Sequence, residues 1–298
     1  MEWRRFISLF SPAQLDRRVI YVSVFLALVI PMALKVSLPP ARMQSADEAF
    51  QTIQTLEARK PVFISLDFGP NSLAENLPQA EVVVEHLFRL KIPIVFYSQY
   101  PLAAGFLEDV PTKIAQKLSN LGQGNFSYGA DWVNIGYRPN PDVFLQGLAA
   151  SDSWVQYLKR DARGNKLGEL PLFATLKDLR DVQAVIQLSS LVGTLDAFLR
   201  FFQRADAHPK LIHGCTSITI PQAYIYLDSG QLAGLFEGVA GAAWYSKLLS
   251  DKFPGRPVDK ALTVNTGLAI AHVVILFLVV LGNVTALFSR SRPVGGMQ

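Results

Sequence analysis

The chain has 298 residues, of which 50% are hydrophobic and only 17% are charged, whereas soluble domains typically carry about 25% charged residues. Seven of the 28 Lys and Arg residues and two of the 24 Asp and Glu residues lie before Pro39 or after Leu262, so the part between them is close to neutral despite a total charge of +4. Nucleic-acid binding needs positive charge clustered on the domain itself and is therefore excluded as an interpretation.

The first apolar segment, Val19 to Leu34, contains sixteen residues without a charge. With the residues beyond Lys35, whose side chain can reach the interface, it predicts a transmembrane helix over 19–38 that follows a cytoplasmic segment, 1–18. The alternative is a cleaved signal peptide. Segment 1–18 is long for the charged region of such a peptide, and no A-x-A site follows the apolar run, so a retained anchor is favoured.

Between the apolar segments, residues 39–262 alternate β-rich runs with amphipathic stretches, which is typical of an α/β domain with a mostly parallel, doubly wound, Rossmann-like sheet. The predicted strands are Val62–Phe68, Ile92–Ser98, Trp132–Tyr137, Val182–Ser189, Lys210–Ser217 and Leu232–Glu237. The predicted helices are Ser45–Lys60, Pro78–Leu90, Phe106–Leu121, Asp142–Tyr157, Thr194–Arg204, Pro221–Asp228 and Gly241–Leu249. The polar stretch Arg160–Phe173 predicts a long loop.

The motifs of the common nucleotide-binding and hydrolase families are missing from this domain. No G-x-G-x-x-G follows the first predicted strand, and neither a P-loop nor a G-x-S-x-G motif occurs. His208, His213 and Cys215 lack further ligands at zinc-site spacing, so no metal and no cofactor are predicted. The glycines between Gly234 and Trp244 could expose backbone N–H groups to a phosphate, but close helix–sheet packing explains them more simply.

Ligands of open α/β sheets bind beyond the carboxyl ends of the strands. The side chains expected there, which we take as candidate ligand-binding residues, are Asp67, Ser98, Gln99, Arg138, Ser190, Ser217 and Glu237. If the protein is an enzyme, Asp67 and Glu237 are the candidates for a general base or a metal ligand, and Arg138 could hold an anionic group. Strand ends are polar in most proteins, however, and a solvated or interface-forming rim is the favoured interpretation.

The second apolar segment, Gly267 to Phe288, predicts a transmembrane helix over 263–288, followed by a cytoplasmic tail, 289–298. Asn265, His272 and Asn283 fall on one stripe of this helix at 100° per residue. Such a stripe indicates hydrogen bonding to another helix or, alternatively, a proton or ion relay; the absence of an acidic residue in either span favours helix packing.

Lys and Arg residues flanking the first span predict its orientation. Four arginines lie before it, whereas only Lys35 and Arg42 follow closely. Positive residues accumulate on the cytoplasmic side, so both termini are expected inside the cell and the α/β domain outside. The sole cysteine, Cys215, rules out an intrachain disulfide, which a domain of this size does not need.

Three functions fit these features. The favoured one is a non-catalytic two-pass subunit whose domain scaffolds or docks a multi-protein envelope complex, with other membrane or envelope proteins, or a second copy, as partners. The alternatives are an envelope hydrolase or transferase with a site at the strand ends, and a ligand-binding sensor subunit. The α/β architecture alone supports none of the three over the others.

Overall fold

A computed structural model of the chain describes residues 17–290, with side chains described as far as residue 284. These residues form two compact units: the described parts of 1–39 and 258–298 make up the first, and Pro40–Pro257 the second. The predicted terminal segments 1–18 and 289–298 lie almost entirely outside the described residues.

The unit Pro40–Pro257 is built on one six-stranded, wholly parallel sheet with the order β3-β2-β1-β4-β5-β6. The strands are β1 (Val62–Asp67), β2 (Ile94–Ser98), β3 (Trp132–Tyr137), β4 (Ala184–Ser189), β5 (Lys210–Cys215) and β6 (Leu235–Glu237). Strand order reverses between β1 and β4, which defines a doubly wound sheet. The predicted α/β class is confirmed, and each of the six predicted strands is present.

Helices alternate with the strands through this unit. They are α2 (Gln44–Gln54), α3 (Leu73–Arg89), α4 (Phe106–Asn120), α5 (Pro141–Ala150), α6 (Trp154–Leu158), α7 (Leu172–Thr175), α8 (Asp196–Phe201), α9 (Ile220–Asp228) and α10 (Gly238–Lys252). The predicted single helix Asp142–Tyr157 is wrong. Ser151 is extended and the Ser153 hydroxyl accepts a hydrogen bond from the Gln156 backbone N–H, so the segment divides into α5 and α6.

Several other boundaries also differ from the prediction. Helix α3 begins at Leu73, five residues before Pro78, because the 3-10 turn Pro70–Ser72 leads directly into it. The helix predicted over Ser45–Lys60 ends at Gln54. The predicted loop Arg160–Phe173 contains a 3-10 turn at Leu167–Glu169 and the start of α7.

Both faces of the sheet are covered, which explains why β1, β2 and β4 are buried along their whole length. One face packs against aromatic residues of α6, α8 and the segment after α8, namely Trp154, Phe198 and Phe202, around Phe63 of β1. Helix α3 packs on β4 and β5, and α10 packs on α3. The carboxyl ends of the six strands therefore meet at one edge, which is where a site is expected.

The other unit contains two helices long and apolar enough to cross a membrane: α1 (Arg17–Leu34) and α11 (Lys260–Arg290), the latter apolar over Lys260–Val284. They pack on each other at Gly267, where a Cβ atom would lie 2.9 Å from the Leu28 carbonyl oxygen. The Thr266 hydroxyl accepts a hydrogen bond from the Leu38 N–H at 2.9 Å. Small residues at such a contact let apolar helices approach closely.

Candidate functional site

The carboxyl ends of four strands form one row. Parallel pairing places Asp67 of β1 beside Ser189 of β4, Ser189 beside Cys215 of β5, and Cys215 beside Glu237 of β6. Every residue of this row except Glu237 is buried. The four strand ends thus meet at one edge of the sheet, and the residues of this row other than Glu237 are closed to solvent.

Asp67 is fully buried, and its carboxylate accepts five hydrogen bonds. Oδ1 accepts from the Gln99 backbone N–H at 3.0 Å and the Ser98 hydroxyl at 3.2 Å; Oδ2 accepts from Ser65, Gln99 and Gln187 at 2.7 to 3.0 Å. Burial raises the pKa of Asp67, while the hydrogen bonds from Gln99, Gln187 and Ser65 oppose the rise. A carboxylate enclosed in this way holds the strand ends together.

Gln99 closes the crevice between β1 and β4. Its side-chain amide donates both to Asp67 Oδ2 at 3.0 Å and to the Thr194 carbonyl oxygen at 3.1 Å, in the turn after β4. The Ser189 hydroxyl, which lies 2.9 Å from the Thr194 hydroxyl and accepts from the Leu191 N–H, fixes the same turn. The point where strand order reverses, at which doubly wound folds usually bind ligands, is thus sealed by the protein's own side chains.

Two predicted site residues, Ser217 and Glu237, do not join this cluster. The Ser217 N–H and hydroxyl both donate to Glu75 of α3, at 2.7 and 2.5 Å. Glu237 accepts hydrogen bonds from Ser45 at 2.5 Å and from Tyr224 at 2.8 Å. Ser217 and Glu237 are therefore occupied by neighbouring helices.

Arg138 also stands outside the cluster, whereas Ser190 joins it through its backbone. Arg138 donates to the Ile135 carbonyl oxygen at 3.1 Å, and its guanidinium lies 5.9 Å from the Phe144 ring centre, next to edge strand β3. The Ser190 backbone N–H donates to the Asp67 carbonyl oxygen, while its hydroxyl is buried and has no hydrogen-bond partner among residues 17–290. The structure thus brings Asp67, Ser98, Gln99 and Ser190 together and leaves Arg138, Ser217 and Glu237 outside.

A second polar row lies one step inside the sheet and was not predicted. Ser65 pairs with Tyr97 of β2 and Gln187 of β4, and Gln187 pairs with His213 of β5. Tyr97 Oη, Gln187 Oε1 and His213 Nδ1 are buried, and no atom of the described residues hydrogen-bonds to them. The only sequence signal is a polar residue inside each apolar run. The sequence alone does not align these residues across strands.

His213 forms part of a narrow crevice at the strand ends. The crevice lies between the turn after β4 and helix α9, and it is lined by Leu191, Gly193, Leu195, Asp196, His213, Thr219, Gln222, Ala223 and Tyr226. Its free volume is about 10 Å³, the space of a single water-sized atom. On the wall, the Tyr226 hydroxyl donates to Asp196 at 2.7 Å.

Two sequence interpretations concerned metal and phosphate binding. His208 is exposed whereas His213 and Cys215 are buried, and no group of three His, Cys, Asp or Glu residues that could hold a metal ion occurs within residues 17–290. A Cβ atom on Gly234 would lie 2.4 Å from the backbone of Ala49, and one on Gly241 would lie 3.1 Å from that of Phe236. The packing explanation for these glycines is confirmed.

Exposed apolar side chains surround the sealed strand ends. Five of them lie at or within a few residues after the carboxyl ends of β2, β3, β4 and β5. We call these five residues the apolar rim: Leu102, Tyr137, Val143, Val192 and Ile218. Their exposed fractions run from 38% for Tyr137 to 89% for Ile218. Single exposed apolar residues are normal on a protein surface, and only contiguous apolar patches are typical of interaction sites.

The polar stripe of α11 faces away from its contact with α1. Thr266, Gly267 and Ala271 are buried at that contact, whereas His272 and Asn283 are exposed and Asn265 is half-buried. Packing of the stripe against a further helix stays a prediction.

Comparison of the chain with protein-family models, curated proteins and solved structures gave no match.

Proposed function

We propose that the protein is a non-catalytic, two-pass membrane subunit whose α/β domain docks other envelope proteins through the apolar rim. The rim is the observation that carries the proposal. The side chains of four of its residues are 59% to 89% exposed: Leu102, Val143, Val192 and Ile218. Exposed apolar surface is unfavourable in water, and covering it with a partner lowers the free energy.

The chemistry beneath the rim supports docking rather than catalysis. A general base must reach a substrate proton within hydrogen-bond distance, yet the Asp67 carboxylate is fully buried and accepts five hydrogen bonds. Glu237, the second candidate, is bound by Ser45 and Tyr224. A domain whose strand-end polar groups stabilise one another offers a rigid platform for a partner.

The proposed setting is the cell membrane, with both termini in the cytoplasm and the domain outside. It rests on the two apolar helices α1 and α11 and on the four arginines that precede the first of them. Partners would be other membrane or envelope proteins or a second copy of the chain.

Charged substitutions on the rim test this function. Val192→Glu and Ile218→Glu should abolish co-purification of partner proteins after solubilisation in mild detergent, because docking would bury an unpaired carboxylate. Leu121→Glu is the matched control: Leu121 is 42% exposed and follows α4 at the opposite edge of the sheet. Protection of the buried Cys215 from thiol reagents verifies folding. If both rim variants retain every partner of the wild-type protein, the docking proposal is wrong.

A further inference from the structure

The crevice beside His213 combines features that point to a ligand. It opens at the strand ends, where α/β sheets bind small molecules, and the buried His213 side chain lies on the sheet face that α8 and α9 cover. His213 Nδ1 is buried and has no hydrogen-bond partner among the described residues.

The state of the imidazole defines what Nδ1 can bind. Burial lowers the pKa of His213 to about 4, so the ring is neutral at neutral pH. A neutral imidazole carries one N–H and one lone pair, so Nδ1 donates or accepts a hydrogen bond according to the tautomer. A hydroxyl group, which both donates and accepts, satisfies Nδ1 in either form.

Two groups near His213 are hydrogen-bond acceptors. Gln187 Oε1, on the neighbouring strand, is buried without a partner, and Asp196 places a carboxylate on the crevice wall. Neither Lys nor Arg lines the crevice. A cluster of acceptors without a cation repels anions and favours a ligand that donates hydrogen bonds.

We infer that the crevice binds an uncharged polyhydroxylated ligand, a sugar or polyol, which inserts one hydroxyl group that forms a hydrogen bond with His213 Nδ1. The free volume of about 10 Å³ matches a single oxygen atom. The rest of the ligand lies over the mouth, between Gly193 of the β4–α8 turn and Gln222 of α9. This inference goes beyond the proposed function and stands whether or not the rim docks a partner.

Thermal unfolding of the purified full chain in detergent tests the inference. The probes are D-glucose, D-ribose and glycerol, and inorganic phosphate is the anionic counterpart. A specific ligand at ten times its Kd should raise Tm by about 3–6 °C. Sugars also stabilise proteins generally by exclusion from their surface. The criterion is therefore a saturable shift in the wild-type protein, together with saturation transfer from the protein to the probe's protons in NMR.

His213→Phe removes Nδ1, and Gln222→Leu changes a side chain that lines the opening of the crevice. Each should weaken the apparent affinity for the probe at least tenfold. His208→Phe, at an exposed histidine outside the crevice, should leave it unchanged. If His213→Phe does not fold, Gln222→Leu carries the test. The inference is overturned if no sugar or polyol gives a saturable shift, if both variants keep it, or if phosphate alone gives it. Partner co-purification does not enter these measurements, so failure here leaves the docking proposal standing.

Discussion

Glu85→Gln should destabilise the α/β domain by several kcal/mol, whereas Glu81→Gln, one turn earlier on α3, should cost little. The Glu85 side chain is 1% exposed and forms ion pairs with three cations: Arg89 at 2.7 Å, Lys117 of α4 at 2.8 Å, and Arg256 at 2.9 Å. Arg256, beyond the end of α10, is itself 0% exposed. One buried carboxylate thus links α3, α4 and the segment that follows α10.

The pKa of Glu85 sets the magnitude. Burial alone would raise it, but hydrogen bonds and charges from Arg256 and Lys117 outweigh burial and lower it from 4.5 to about 2. At 1.36 kcal/mol per unit, this corresponds to about 3 kcal/mol, similar to the roughly 3–5 kcal/mol that breaking a buried pair costs. Because the folded-state pKa is depressed, this stability is present above pH 4.5 and is lost as the pH falls towards 2.

Glu81 provides the matched comparison. It also pairs with a lysine of α4, Lys113, but that lysine is 53% exposed, and exposed pairs contribute about 0–1 kcal/mol. Unfolding can be followed in the full chain by urea-dependent labelling of Cys215, the sole and buried cysteine. Equal losses of unfolding free energy in the two variants would refute the reasoning that burial, not charge pairing as such, determines the cost.

Four further predictions address pH, catalysis, assembly and topology. Burial lowers the pKa of His86 from 6.5 to about 3, so the neutral ring stabilises the fold fully above pH 6.5. As the pH falls from 6.5 to 3, the free energy of unfolding should decrease by about 1.4 kcal/mol per pH unit, and His86→Gln should remove this part of the slope. Asp67→Asn should destabilise the domain, because all five partners of the carboxylate donate and the amide nitrogen cannot accept. Protein that still folds should keep cellular function and assembly near normal, whereas loss of a general base would cost about 10²–10⁴-fold in rate. His272→Leu should weaken assembly by about 1 kcal/mol while the domain stays folded. Reporter fusions near Gly164 and at Gln298 should report opposite sides of the membrane, with Gly164 outside.

Each of these has a control or a contradicting result. His208→Gln, at an exposed histidine, should keep the wild-type pH slope. A null phenotype of Asp67→Asn or Glu237→Gln in protein that folds and inserts would favour the enzyme. Normal assembly of His272→Leu with loss of a proton-dependent function would favour the relay. Cytoplasmic signals at both fusion sites would refute the exported domain.

The strands were predictable because each is a short, buried, β-branched or aromatic run bounded by polar residues. Val62–Asp67 and Ala184–Ser189 are buried along their whole length, and such runs are distinctive in sequence. Helix boundaries were less accurate where local capping decides them, as at Ser153, whose hydroxyl accepts from the Gln156 N–H. In the sequence, Ser153 stands within a mainly apolar stretch with helical spacing, so the start of a new helix after it was not predicted.

The site was predictable as a set of strand ends but not as a bonded arrangement. Asp67 depends on Gln187, 120 residues away, and Glu85 on Arg256, 171 residues away. These pairs follow from strand register and helix docking, which are properties of the whole fold. The row that contains His213 was missed for the same reason.

Site-specific photo-crosslinking in intact cells tests the central claim most directly. A photoreactive amino acid at Ile218, the most exposed member of the apolar rim at 89%, should crosslink the chain to a discrete envelope partner or to a second copy. The same probe at Leu121, on the opposite edge of the sheet, should give no such product. Discrete products from Leu121 and none from Ile218 would contradict docking through the rim.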